Sequence, residues 1–108
     1  MNKVIASPYA PKAVGPYSQA IQADGTLYLS GQLPIDGATG TMPESIEEQT
    51  EQSLKNVGHI LKEAGYDYTD VVKTTVLLAD IKNFAYTAFI AAKSLISASR
   101  TVVFTTSV

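Results

Sequence analysis

The chain has 108 residues, no cysteine and a formal charge of −2, with 45% apolar and 17% charged residues. These values describe one globular domain over residues 1–108 and argue against a disordered segment. They also exclude a disulfide framework, a thiolate nucleophile, cysteine-ligated metal and a broad basic surface for nucleic acid.

Residues 1–10 lack the apolar core of a signal peptide, and no run reaches the ~18 apolar residues of a membrane span. A soluble, cytoplasmic protein with no membrane partner is therefore expected. Lys3-Val4-Ile5-Ala6 reads as a short edge strand. Residues 7–16 hold three prolines and a glycine and read as loop. Tyr17–Gln22 reads as a strand. It is followed by Ala23-Asp24-Gly25-Thr26, whose Asp-Gly pair signals a type I′ hairpin turn. A strand over 26–30 should then pair antiparallel with 17–22, which places Tyr17 and Ser30 at the same end of the hairpin.

That second strand breaks at Ser30-Gly31, where glycine allows a bulge or a close backbone approach. Gln32 adds an amide, and Pro34 removes a ladder donor. Such a break reads either as a concavity of backbone N–H groups suited to a carboxylate or as a plain hairpin bulge. Residues 36–43 are turn-rich. Ser45 with Glu48 forms a capping-box pattern, and apolar or small residues then recur at helical spacing through Ala64. Gly65 is the stop signal. Gly58 inside this helix of about twenty residues suggests a close contact. Residues 66–70 read as loop. Val71–Ala79 is nearly continuously apolar or β-branched and reads as a central strand covered on both faces. Asp80 is positioned to cap a second helix running toward Ile96, and Thr101–Thr106 reads as a last strand. The order β, ββ hairpin, a candidate further β, α, β, α, β defines an α+β fold, with one mixed sheet and two helices on one face.

Little of the side-chain chemistry points to a strong catalyst. His59, the only histidine, lies roughly opposite the Val57/Leu61 stripe and reads as a solvated residue. No Gly-x-Ser-x-Gly elbow, Gly-x-Gly-x-x-Gly or Walker pattern occurs, and one histidine without cysteine makes a zinc site improbable. Arg100 is the only arginine among eight basic residues. It reads either as a planar, bidentate grip on a carboxylate or as a surface arginine at a strand start.

Four stretches carry a resemblance to a known family. They are Gly15-Pro16-Tyr17-Ser18-Gln19-Ala20, Ser30-Gly31-Gln32-Leu33-Pro34, Gln52-Ser53-Leu54-Lys55-Asn56-Val57 and Asp70-Val71-Val72-Lys73-Thr74-Thr75-Val76. In this order they resemble the Rid family, the reactive-intermediate deaminases also known as YjgF-like or L-PSP proteins. The resemblance implies a chorismate-mutase-like fold and a homotrimer with sites between subunits. It implies hydrolysis of 2-imino acids and 2-aminoacrylate-type enamines to 2-keto acids and ammonia, without metal or organic cofactor. Tyr17 would line the pocket, Ser30 with Gly31 would form its floor, and Arg100 would hold the substrate carboxylate.

The chain departs from that family after Phe84. It reads Ala98-Ser99-Arg100-Thr101 where the family has Pro-Ala-Arg-Ser/Thr, and it stops at Val108. The family's final strand, with the glutamate that helps position water, is therefore expected to be missing, leaving a strand without its neighbour. Every acid lies at or before Asp80. Two further readings follow: a catalytically impaired keto-acid- or protein-binding oligomer, and an endoribonuclease or translation inhibitor.

Overall fold

A computed structural model describes residues 2–78, 80–85 and 101–107. Five strands form a single mixed sheet in the order β1-β2-β3-β5-β4. They are β1 (Lys3–Ile5), β2 (Ala20–Ala23), β3 (Thr26–Gln32), β4 (Val71–Leu77) and β5 (Thr101–Ser107), with the helix α1 (Ile46–Glu63) between β3 and β4 in the chain.

Local sequence dictates the hairpin and both ends of the helix. Asp24 and Gly25 both adopt positive φ, 49° and 79°, as a type I′ turn requires, and the register Ala23↔Thr26 through Ala20↔Leu29 follows. Helix α1 starts where the Ser45 hydroxyl accepts the Glu48 amide at 3.2 Å. It ends at Gly65 (φ 78°). There the Gly65 amide donates to Lys62 and the Tyr66 amide to Leu61, a Schellman closure.

Helix α1 lays Leu54, Val57, Ile60 and Leu61 on the sheet face formed by Ile5, Ala20, Leu27 and Leu29. Burying each of these larger aliphatic side chains contributes about 1.5–3 kcal/mol. Tyr66 closes one end of this core, its hydroxyl donating to the Gly25 carbonyl at 2.8 Å. Gly58 makes the close contact anticipated for it. A Cβ there would lie 2.2 Å from the Tyr68 hydroxyl, which itself donates to the Leu54 carbonyl.

Three expectations differ from the structure. The strand expected over 17–22 begins only at Ala20, because residues 17–19 are held by side-chain bonds rather than by a ladder. Residues 66–70 are not plain loop. Tyr68–Asp70 forms a 3-10 turn in which Asp67 and Asp70 cap each other's backbone, and Asp70 is buried. Strand β4 is not central: it ends the sheet among the described residues, with Val72 and Leu77 exposed. Among the described residues its ladder partner is β5, which takes the inner place between β3 and β4.

Strand β5, the last described stretch of the chain, runs parallel between β3 and β4 and pairs with both. Of the second helix, the structure describes only the start. Asp80 Oδ1 accepts the Lys82 amide at 3.0 Å and the turn Ile81–Asn83 follows; the rest of that helix lies outside the described residues. Among the described residues no helix is long and apolar enough to cross a membrane.

Candidate active site

The break at Ser30-Gly31 is a true β-bulge. Leu29 pairs with Phe104 and Gln32 with Thr106, so two residues of β3 oppose one of β5. The extra residue turns the strand out of register at the end farthest from the hairpin turn. Gly31 is exposed there, and Ser30 is half-buried.

On one side of the bulge stands the segment 17–19. The Ser30 amide donates to the Gln19 carbonyl at 2.9 Å and the Ser30 hydroxyl donates to the Ser18 carbonyl at 2.6 Å. The Gln19 side chain is buried and points the other way. Its Oε1 accepts the Ser7 amide at 2.6 Å, and its Nε2 donates to the carbonyls of Ser7 and Pro11 at 3.3 and 3.0 Å. One amide thereby ties a proline-rich loop to the hairpin.

On the other side stands α1. Ser53 and Asn56 are fully buried on its inner face, where the apolar pattern alone would place carbon. The Ser53 hydroxyl donates to the Gln32 carbonyl at 3.0 Å. Asn56 Nδ2 donates to the carbonyls of Leu33 and Ile35 at 2.9 and 2.8 Å, and its Oδ1 accepts from Gln52 at 2.9 Å. The chain leaving the bulge passes Pro34 and cannot continue a regular ladder. These helix side chains supply the partners its carbonyls need.

Tyr17 sits beside this framework, about half exposed at 48%. Its hydroxyl accepts the Val14 amide at 3.3 Å, and Gly15 (φ 125°) makes the turn between them. Tyr17, Ser18 and Gln19 line an open groove of about 480 Å³ with Ser7, Lys12 and Ala13. Tyr17 and Ser30 thus come to the same end of the hairpin, joined through Ser18, while Ser30 and Gly31 lie outside that groove's lining. Arg100, the expected carboxylate grip, lies outside the described residues. His59 is half-buried on α1, its ring 5.7 Å from that of Tyr9.

Sequence reasoning missed the work of Gln19, Ser53 and Asn56. The signal was present: polar residues at inward helix positions beside Leu54 and Val57, and an amide one residue before the β2 core position Ala20.

A sequence profile of the family described as Endoribonuclease L-PSP matches residues 7–105. The chain is 53% identical over 85 residues to the 2-iminobutanoate/2-iminopropanoate deaminase of Mus musculus. That match takes in 78% of this chain but only 63% of the mouse protein, so the chain spans less than two thirds of the relative's length. Among solved structures, the Rid-family protein YyfA from Yersinia pestis superimposes with a TM-score of 0.84 at 39% identity, covering 100% of this chain and 86% of that one. The structure of E. coli TdcF with bound serine gives 0.81 at 30% identity, covering 94% and 84%. The chain belongs to the L-PSP family, the Rid or YjgF-like proteins, and its α+β fold is the family's.

Proposed function

We propose that this chain hydrolyses reactive 2-imino acids, and the enamines that tautomerise to them, to 2-keto acids and ammonia. The observation that carries the reading is the 53% identity to a protein named as a 2-iminobutanoate/2-iminopropanoate deaminase, at a chain whose β3 bulge and flanking clamps are fully formed. The reaction needs little beyond placement. Protonating the enamine at C3 gives the imine, whose C2 is electrophilic. Water adds at C2, a proton passes to nitrogen, and the carbinolamine collapses by releasing ammonia and leaving the C2 carbonyl. Holding the carboxylate and one water in line is the main contribution asked of the protein.

The hydrogen bonds define what each residue can offer. The Ser30 hydroxyl spends its proton on Ser18, so toward a substrate it accepts, and an imine or amine N–H is its natural partner. The Tyr17 hydroxyl already accepts from Val14, so it donates, either to the carboxylate or to the departing nitrogen. Gly31 has no side chain and lets a ligand approach the backbone at the bulge. Arg100 is assigned the bidentate hold on the carboxylate. No metal or organic cofactor takes part.

The same reading supplies an oligomer. Val4, Ile21 and Tyr28 are lateral neighbours on the sheet face opposite α1, with Val4 63% and Tyr28 51% exposed. This apolar row supports a homotrimer in which a neighbouring subunit covers the face and completes the site. Strands β1 to β4 contribute to the core that α1 shares, and β5 is hydrogen-bonded between β3 and β4, which supports a single domain over residues 1–108.

The test is the release of ammonia and keto acid from 2-aminoacrylate generated in place by a dehydratase. Acceleration above buffer is expected, and its abolition by Arg100→Ala; folded trimer with no acceleration rejects the reading. A second reading, a keto-acid-binding oligomer without turnover, is favoured by one observation: no carboxylate occurs on β5, Thr101–Ser107, or anywhere after Asp80 in these 108 residues to orient water. Binding of 2-ketobutyrate by a chain that fails the ammonia assay would establish it. The net charge of −2 gives no basic face for RNA and weighs against ribonuclease activity.

A further inference from the structure

A second cavity lies along a flank of α1, and neither Ser30 nor Gly31 lines it. It has a volume of about 300 Å³ and lies between the helix residues Gln52, Lys55 and His59 and the loops that carry Tyr9 and Asp36. Its walls are fixed. Gly37 packs so closely on the first loop that a Cβ there would stand 2.5 Å from the Tyr9 carbonyl oxygen. The loop of Asp36 is closed on itself by Asp36 N–H to the Thr41 carbonyl and Gly40 N–H to the Asp36 carbonyl, at 2.9 and 2.8 Å. The Tyr9 ring leans on His59 at 42° and forms an aromatic wall.

Two opposite charges face this cavity without meeting. Lys55 and Asp36 both line it, and among the described residues no ion pair joins them. Asp36 Oδ1 accepts the Ala38 amide at 2.8 Å, which orients the carboxylate; Lys55 has no hydrogen-bond partner among the described residues. A purely anionic ligand would meet Asp36 unfavourably, and a purely cationic one would meet Lys55. A ligand that carries both charges on a short frame matches both, because each charge-assisted bond is then made and neither wall charge is left opposed.

We infer that this cavity is a second small-molecule site, distinct from the bulge, for a zwitterionic α-amino acid whose carboxylate pairs with Lys55, whose ammonium pairs with Asp36 and whose side chain lies against Tyr9. Enclosing a molecule of this size by one helix and two pinned loops gives modest affinity, in roughly the millimolar range. The site is independent of the imine-hydrolysing chemistry and does not require it.

The test is amide chemical-shift mapping on the full chain, titrated with L-phenylalanine, with L-alanine, and with acetate and methylamine as single-charge controls. Saturable shifts are expected at Gly37, Ala38, Gln52, Lys55 and His59, with L-phenylalanine tighter than L-alanine and each control about tenfold weaker or more. Lys55→Met keeps the aliphatic stem, and Asp36→Asn keeps the acceptor for Ala38; each should weaken L-phenylalanine about tenfold while leaving the spectrum otherwise folded. No saturable shift at these amides overturns the inference. Acetate binding as tightly as L-alanine, or an affinity untouched by both substitutions, overturns it as well. Shifts confined to residues 17–19 and 30–31 would place the amino acid at the bulge instead and overturn it too.

Discussion

The bulge at Ser30-Gly31 is bracketed by two primary amides that do the same thing from different foundations. Asn56 and Gln19 each donate both N–H bonds to backbone carbonyls and accept one bond at oxygen. Asn56 projects from the middle of an 18-residue helix whose own ladder fixes its backbone. Gln19 projects from an irregular segment whose backbone is fixed by Ser30 itself. The helix-side clamp therefore holds the bulge exit from outside, whereas the loop-side clamp and the bulge hold each other. Damage on the helix side should cost stability and leave 17–19 in place. Damage on the loop side should loosen Tyr17, the groove and Ser30 together.

Asn56→Asp gives the largest expected effect. It keeps size and shape but turns two donated bonds into a buried carboxylate facing the Leu33 and Ile35 carbonyls. Leaving a buried charge uncompensated costs about 3–5 kcal/mol. Burial raises the pKa of the new carboxyl in the folded state, so the penalty is full above that pKa and shrinks as pH falls through it. Urea denaturation at pH 7 and pH 4.5 checks both size and sign. A variant as stable as the parent at pH 7 would remove Asn56 from its assigned place.

Gln19→Leu comes next. It leaves the Ser7 amide and the Ser7 and Pro11 carbonyls without their partner, at about 1–3 kcal/mol in all, because the loop can reach water in part. Its signature is spatial. Hydrogen exchange should quicken at Ser7, at Tyr17 and at the Ser30 amide, while the amides of α1 stay protected. Uniform loss of protection across both clamps would show that they are not separable.

The difference between the clamps also explains what was legible in the sequence. The hairpin, the start and stop of α1, the bulge and the contact at Gly58 all rest on local rules: positive φ at Asp24 and Gly25, a capping serine, glycine where a side chain will not fit. These survive folding because nothing distant overrides them. The early end of β2 and the edge position of β4 depend on neighbours remote in sequence, Ser7 and Pro11 for one and β5 for the other. Apolar content suggested a covered strand at 71–79, but such content equally serves a face waiting for another subunit. Of the four residues that the family resemblance assigned to the site, Tyr17 and Ser30 were brought to one end of the hairpin by the turn signal alone, and the structure holds them there through Ser18. Arg100 lies beyond reach of any such local rule, and the residues that hold the bulge in place were hidden because serine and asparagine at inward helix positions read as interruptions of an apolar stripe.

Gly58→Ala tests how the helix-side clamp is seated. Alanine gains roughly 1 kcal/mol of helix propensity, but its Cβ would fall 2.2 Å from the Tyr68 hydroxyl and 2.8 Å from the ring carbon behind it. Overpacking against a rigid ring costs about 1–3 kcal/mol, so a net loss of about 1 kcal/mol is expected. Combining Gly58→Ala with Tyr68→Leu should recover most of the clash, and the coupling in that double-mutant cycle is the measured quantity. Additivity of the two substitutions would mean that the ring moves aside at little expense.

The smallest effect is a change in pH dependence. The Tyr68 hydroxyl donates to the Leu54 carbonyl, and desolvation by burial pushes its pKa above the usual tyrosine range, aided by the neighbouring Asp67 charge and opposed by a backbone bond at Gly58. A raised folded pKa means that the neutral phenol is favoured by folding. Its contribution is complete below the unfolded value of about 10 and is lost as pH rises through the folded one. Stability should therefore fall from about pH 10 upward. Tyr68→Phe should lose about 1 kcal/mol at pH 8 through the missing bond, yet show a shallower decline toward pH 11, so the two curves converge. Parallel curves would assign the alkaline loss to other tyrosines and leave the helix-side seat dependent on the shape of the Tyr68 ring rather than on its proton.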